Sequence, residues 1–167
     1  VYEVSVQVSG DSSKKGDPGD ELIFEMTIKN KGNGEDTVSL SLEGEKASWA
    51  SIVDEVELTS GESKTVNLTV NIDDDATVGD NDIIVNGTSE DNPSAYDTGT
   101  VKVSVNKQFK VDVVVSSKSG DPGSTVQYDV RIQNEGTGVD TFTVNVDDYP
   151  AGWSVDPVSF QVEDVEA

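Results

Sequence analysis

The sequence predicts an all-β chain made of two β-sandwiches in tandem, the second incomplete at its C-terminus. Three observations point there. Apolar residues recur at every second position in short runs, as in "ELIFEMTIK", where Leu22, Phe24, Met26 and Ile28 share one face. Clusters of Gly, Asp, Asn and Pro separate these runs, and no segment keeps a helical period over two turns. Finally, the passage "GDPGDELIFEMTIKNKGNGEDT", which starts at Gly16, returns almost unchanged from Gly120 as "GDPGSTVQYDVRIQNEGTGVDT".

Gly16 pairs with Gly120, Asn30 with Asn134, Asp36 with Asp140 and Trp49 with Trp153, a constant offset of 104 that allows an alignment without a gap to the chain end. A period of this size is too long for a solenoid unit and matches a whole immunoglobulin-like domain of about 100 residues. Residues 1–106 are therefore expected to form a complete sandwich and 107–167 the first part of a second.

The elements follow in order. "YEVSVQV" from Tyr2 is the first strand, matched by "FKVDVVV" from Phe109. Pro18-Gly19 sets a tight turn, proline fixing φ and glycine accepting a positive one. The strand at Leu22–Ile28 follows, its counterparts being Val126, Tyr128, Val130 and Ile132. Gly32 and Gly34, with Asn30 and Asn33, make a turn in which any residue other than glycine at the two glycine positions would be strained. Val38, Leu40 and Leu42 line the next strand, as Phe142, Val144 and Val146 do in the second copy. Trp49 and Trp153 come after it. Either they offer a sugar-stacking platform or they plug the domain, and duplication at equivalent positions favours the plug. Only the first copy continues, through "KTVNLTVN", "DIIVNGT" and "TVKVSV". The connection at "VNKQF" contains neither Gly nor Pro, so little bending freedom is expected there.

Composition excludes several functions. With 33 acidic against 11 basic residues the formal charge is −22, and Arg131 is the single arginine. A nucleic acid or an anionic membrane would be repelled by such a surface, and no stretch approaches the ~18 apolar residues of a membrane span. A charge this large disfavours compaction unless salt or cations screen it, which suits high salt, calcium-containing medium or simply a well-solvated surface. Cys and His are absent, so disulfides, thiolate sites, the usual zinc sites and histidine-based triads are all excluded. A glycosidase-type carboxylate pair would need a concave pocket and a buried acid, and nothing in the sequence suggests either. No catalytic residue or cofactor is expected.

Two candidate sites remain. Asn67 in "NLT" and Asn86 in "NGT" are glycosylation sequons, and alternation sets Asn67 opposite Val66, Leu68 and Val70, on the solvent face. The segment "NIDDDATVGDNDI" offers Asp73, Asp74, Asp75, Asp80 and Asp82 as oxygen ligands for calcium. It departs from the EF-hand pattern, with Val78 where the loop glycine would stand and Ile84 in place of the closing glutamate, and reads first as a solvated loop, with a weak cation site as the alternative.

The order of Pro18-Gly19, Asn30, Gly32, Gly34, Asp36-Thr37, Trp49, Gly61-Glu62, Ala76 and Gly79 resembles the immunoglobulin-like repeats of archaeal and bacterial surface proteins, namely the CARDB-like group and the module found beside alpha-galactosidase domains. The second copy repeats it as Pro122-Gly123, Asn134, Gly136, Gly138, Asp140-Thr141 and Pro150-Ala151-Gly152-Trp153, whereas the first has "EKASW" and lacks the proline of "PAGW". The resemblance implies a spacer, stalk or adhesion unit outside the cell.

By the gapless alignment Ala167 corresponds to Ser63, which leaves about three strands of the second sandwich unmatched. The absence of an initiator methionine and this short second copy lead to the expectation of a piece of a longer protein. The missing strands would then follow Ala167 in that longer protein, whose neighbouring domains are the expected partners, or be donated by another chain in a surface layer or filament. The expectation overall is a non-catalytic structural module of an acidic, archaeal or halotolerant surface protein. The alternative is an accessory polysaccharide-binding module of a secreted hydrolase, using Tyr96, Tyr149 and the two tryptophans.

Overall fold

The alternating runs become strands whose apolar faces meet. The computed structural model describes every residue from Val1 to Ala167, and the chain divides into two units, Val1–Asn106 and Lys107–Ala167. The first unit holds β1 (Val4–Ser9), β2 (Ser13–Gly16), β3 (Glu21–Asn30), β4 (Asp36–Glu43), β5 (Ala50–Ser51), β6 (Glu55–Leu58), β7 (Ser63–Asn71), β8 (Gly79–Ser89) and β9 (Tyr96–Val105). The second holds β10 (Val111–Val115), β11 (Val130–Asn134), β12 (Asp140–Asn145) and β13 (Ser159–Val165). The helical content is one 3₁₀ turn, Ala47–Trp49.

In the first unit a four-stranded sheet, β1-β3-β7-β5, packs on a five-stranded one, β2-β9-β8-β4-β6. Phe24, Met26 and Ile28 of β3, with Leu68 and Val70 of β7, form one inner face. Val38, Ile83, Val85, Val101 and Val103 form the other, and none of these ten is more than 1 % exposed. This is a sandwich core built from every second residue of each strand.

After β1 the chain changes sheets across Gly10–Ser12. β1 pairs antiparallel with β3, whereas β2 runs parallel to β9, from Ser13 opposite Lys102 to Gly16 opposite Val105. The second and last strands of the unit thus lie side by side. The edge of β1 is not left bare, because the Val6 N–H donates to Asp97 Oδ2 at 2.9 Å. Val6 itself packs where two glycines face it: a Cβ on Gly87 would come within 2.6 Å of Val6 Cγ2, and one on Gly99 within 2.9 Å of Met26 Cε.

The second unit consists of two separate antiparallel ribbons, β10-β11 and β12-β13. None of its apolar side chains is buried, and Val113, Val114 and Val115 stand about half exposed at 51, 50 and 51 %. Asn134 is its one buried residue. The expected face Val126–Ile132 forms a strand only from Val130, because β10 ends opposite that residue and no strand flanks the residues before it.

Strand register also corrects the gapless alignment. In the first unit Asp36 faces Leu58; in the second, Asp140 faces Val165, three positions beyond the residue that an offset of 104 assigns. Asn134 Nδ2 donates to Val165 O just as Asn30 Nδ2 donates to Leu58 O, so the buried asparagine fixes which carbonyl arrives. The second copy therefore carries three extra residues between Trp153 and the end of β13, and Ala167 takes the place of Ser60 rather than Ser63.

Candidate functional site

The motif residues shared by both copies are structural ties. Asn30 is 1 % exposed. Its Nδ2 donates to Gly34 O at 2.8 Å and Leu58 O at 3.1 Å, while its Oδ1 accepts from the Gly32 N–H at 2.8 Å. Asn134 repeats all three bonds with Gly138 O, Val165 O and the Gly136 N–H, each at 2.8–2.9 Å. Gly32 and Gly136 are needed for a reason other than the expected backbone strain: neither has a positive φ. A Cβ at either would collide with the carbonyl of the chain entering the unit, that of Val1 or Gln108. The Pro-Gly turns do match expectation, with Gly19 at φ +85° and Gly123 at +81°.

Trp49 is a plug, 5 % exposed, with its indole N–H donating to Asp73 Oδ2 at 2.6 Å and the Lys46 ammonium 4.9 Å from its ring. Trp153 is 65 % exposed. The same residue is thus buried in the unit that has a closed core and open in the one that does not.

The calcium candidates are drawn apart by their partners. Asp73 is taken up by the Trp49 indole. Asp80 accepts from Ser104 Oγ at 2.7 Å and lies 3.5 Å from Lys102 Nζ, with Asp82 4.0 Å from the same ammonium. Asp75 is exposed. No three acidic side chains converge as a cation cage would require. The Asp80–Asp82 strand segment and the Gly44–Lys46 loop border a depression of about 310 Å³, walled by carboxylates and by Lys46.

The Ser104 hydroxyl, followed by the charge of Lys102, holds the Asp80 carboxyl below its usual range. Hydrogen bonds from the Thr59 N–H and hydroxyl do the same for Glu62. Both displaced carboxyls move down, the opposite of what a general acid needs. Tyr2 is held above the usual phenol range by the Asp91 carboxylate first, with burial and Asp36 adding to it.

Both sequons lie on outer faces. Asn67 of β7 is exposed opposite Glu25, and Asn86 of β8 is half-buried between Ser41 and Thr98 on the neighbouring strands. In "NGT" the glycine is Gly87, which the packing of Val6 already demands, so that part of the sequon has a structural origin.

No protein-family model matches the chain, and no curated protein matches it. Among solved structures it is similar to a family 123 glycoside hydrolase from Clostridium perfringens, with a TM-score of 0.52 and 10 % identity over 63 % of this chain; it spans 27 % of that hydrolase. It is also similar to native alpha-2-macroglobulin of Escherichia coli (TM-score 0.47, 14 % identity, 86 % of this chain and 20 % of that one). A third is a CARDB domain from Pyrococcus furiosus (TM-score 0.43, 16 % identity, 63 % of this chain and 89 % of that one). The CARDB-like resemblance read from the sequence thus has a solved CARDB domain among the structural neighbours. At these identities the likeness is one of fold: an immunoglobulin-like β-sandwich.

Proposed function

We propose that the chain is a non-catalytic structural module of an extracellular surface protein, a spacer or adhesion unit that holds its neighbours apart under tension. The observation that carries this reading is the parallel pairing of β2 with β9. Because the two strands run the same way, the chain enters and leaves the first unit at opposite ends. A pull on both ends then slides β2 along β9 and loads their hydrogen bonds together, rather than opening them one at a time. Polar side chains serve the same purpose: the buried Asn30 and the exposed Asp73 fasten loops, and the half-buried Asp97 fastens the β1 edge.

The acidic outer surface and the outward-facing sequons suit an extracellular and halotolerant setting. In the second unit, β11 and β12 show the edges that β3 and β4 pair with β7 and β8 in the first. Strands from a neighbouring domain or a second chain would cover them. A monodisperse 17.7 kDa monomer whose residues 107–167 resist proteases would sink that assembly reading. Polysaccharide binding would have to use exposed aromatics such as Tyr96 or Trp153, 64 and 65 % exposed. A glycan array is the direct test, and binding lost on Tyr96→Ala would replace the spacer reading with a lectin-like one.

The mechanical reading is tested by stretching single molecules by their ends. A proline at Lys14, whose N–H faces β9 between the Ser12 and Gly16 carbonyls that accept from Lys102 and Asn106, should lower the unfolding force of the first unit markedly, and one at Lys15 should lower it less. An unchanged force would remove the support for a load-bearing role.

A further inference from the structure

We infer that the first unit carries an ammonium-binding site formed by Asp36, the Glu35 carbonyl and the face of Tyr2, shaped for a lysine side chain arriving immediately before Val1. Two independent observations converge on it. One is internal comparison. In the second unit Lys107 Nζ donates to Val139 O at 2.8 Å, lies 3.7 Å from Asp140 Oδ1 and sits 4.8 Å over the Phe109 ring. The equivalents of Val139, Asp140 and Phe109 in the first unit are Glu35, Asp36 and Tyr2.

The backbone around the two positions matches group for group. The Gln108 N–H donates to Thr137 Oγ1 and Gln108 O accepts from the Thr137 N–H. In the first unit the Val1 ammonium donates to Asn33 Oδ1 and Val1 O accepts from the Asn33 N–H. Gly32 and Gly136 lie under the same carbonyl in each case. Val1 therefore occupies the place of Gln108, and the position of Lys107 falls one residue before Val1.

The other observation is Asp36 itself. It is 3 % exposed; its Oδ1 accepts from Ser89 Oγ at 3.0 Å, and its Oδ2 is a buried oxygen with no hydrogen-bond partner. A buried carboxylate oxygen without a partner is costly, and an ammonium is the partner that the second unit supplies at the same place. Tyr2 is the aromatic residue at the place of Phe109, and its hydroxyl is held above the usual phenol range by the Asp91 carboxylate first, with burial and Asp36 adding to it. The chemical class of ligand is a primary ammonium ion, and the strand-entry geometry selects a lysine from the adjoining chain over a free amine.

The inference deepens the tandem-module reading, since the site would pin the incoming chain onto each unit, but it is tested without reference to load. Two full-length chains are compared, one with lysine and one with glutamine placed immediately before Val1, so that the terminal amine moves equally in both. The lysine chain should show an unfolding equilibrium constant of the first unit about five- to tenfold smaller, the scale of one net hydrogen bond. In the Asp36→Asn background the difference should shrink to less than about twofold. A lysine advantage that survives Asp36→Asn would be general relief of the −22 charge and would overturn the inference, as would equal stability of the two chains.

Should Asp36→Asn fail to fold, NMR of the lysine chain alone decides. The lysine Hε protons should be shifted upfield by the Tyr2 ring and show cross-relaxation to it. Random-coil positions for those protons would end the proposal, whatever the pulling experiment gives.

Discussion

Replacing Asn30 with alanine removes three hydrogen bonds at once and leaves their partners inside the protein. The bonds run to Gly34 O, Leu58 O and the Gly32 N–H, at 2.8, 3.1 and 2.8 Å, around a residue that is 1 % exposed. Each is worth about 1 kcal/mol net, and the abandoned Leu58 carbonyl adds a desolvation cost, so the loss should be about 3–4 kcal/mol. Against the ~5–15 kcal/mol expected for a domain this size, the variant should still fold, with its melting temperature lowered by about 12–25 °C. Asn30→Asp keeps the acceptor for Gly32 but turns a carboxylate oxygen towards two carbonyls. At neutral pH it should therefore be at least as damaging as alanine, and it should recover partly on acidification. The assay is denaturant unfolding followed by Trp49 fluorescence in a Trp153→Phe background, since Trp49 is buried and Trp153 exposed. A loss below about 1 kcal/mol for Asn30→Ala would refute the view that this side chain ties β3 to β6.

Other expectations concern the close approach of β1 and the charges. Gly87→Ala places a methyl 2.6 Å from Val6 Cγ2 and should cost about 1–3 kcal/mol; Val6→Ala in the same chain should recover much of that, which a double-mutant cycle by denaturant unfolding reports. Glu62 and Asp80 both have lowered folded-state pKa values against ordinary values of 4.5 and 3.8. Their contribution is therefore present above those ordinary values and is lost as pH falls through the folded ones. Glu62→Gln and Asp80→Asn should accordingly lower stability near neutrality and flatten the acid limb of a stability–pH curve below about pH 4.5, so that variant and parent converge in acid. Raising salt from about 0.01 to 1 M shortens the Debye length roughly tenfold and should raise the melting temperature of a chain carrying −22 charges, as scanning calorimetry would show.

The strands were legible because alternation is a local property: Phe24, Met26 and Ile28, or Val101, Val103 and Val105, declare their face without reference to any partner. The repeat and its turns were equally open to reading, since Pro-Gly pairs act within four residues. What escaped was long-range. The reason for Gly32 lies in the Val1 carbonyl, and that for Gly87 lies in Val6 on the other sheet. Neither approach leaves a mark beside the glycine. The shift of register after Trp153 was hidden for the same reason, because a carbonyl chosen by Asn134 cannot be seen in a window around Val165. Asp73 looked like a metal ligand among its acidic neighbours. Only the fold brings the Trp49 indole to it, across an interval of 24 residues.

The central claim, that the first unit bears load through β2 and β9, is tested most directly by stretching the full chain by its two ends. Residues 107–167, which bury no apolar side chain, should extend first at low force. The first unit should then resist and give way in one step, releasing about 3.3–3.6 Å for each of its residues. With proline at Lys14 that step should come at a clearly lower force. Gradual extension of the first unit with no such step, or a step indifferent to that proline, would contradict the claim.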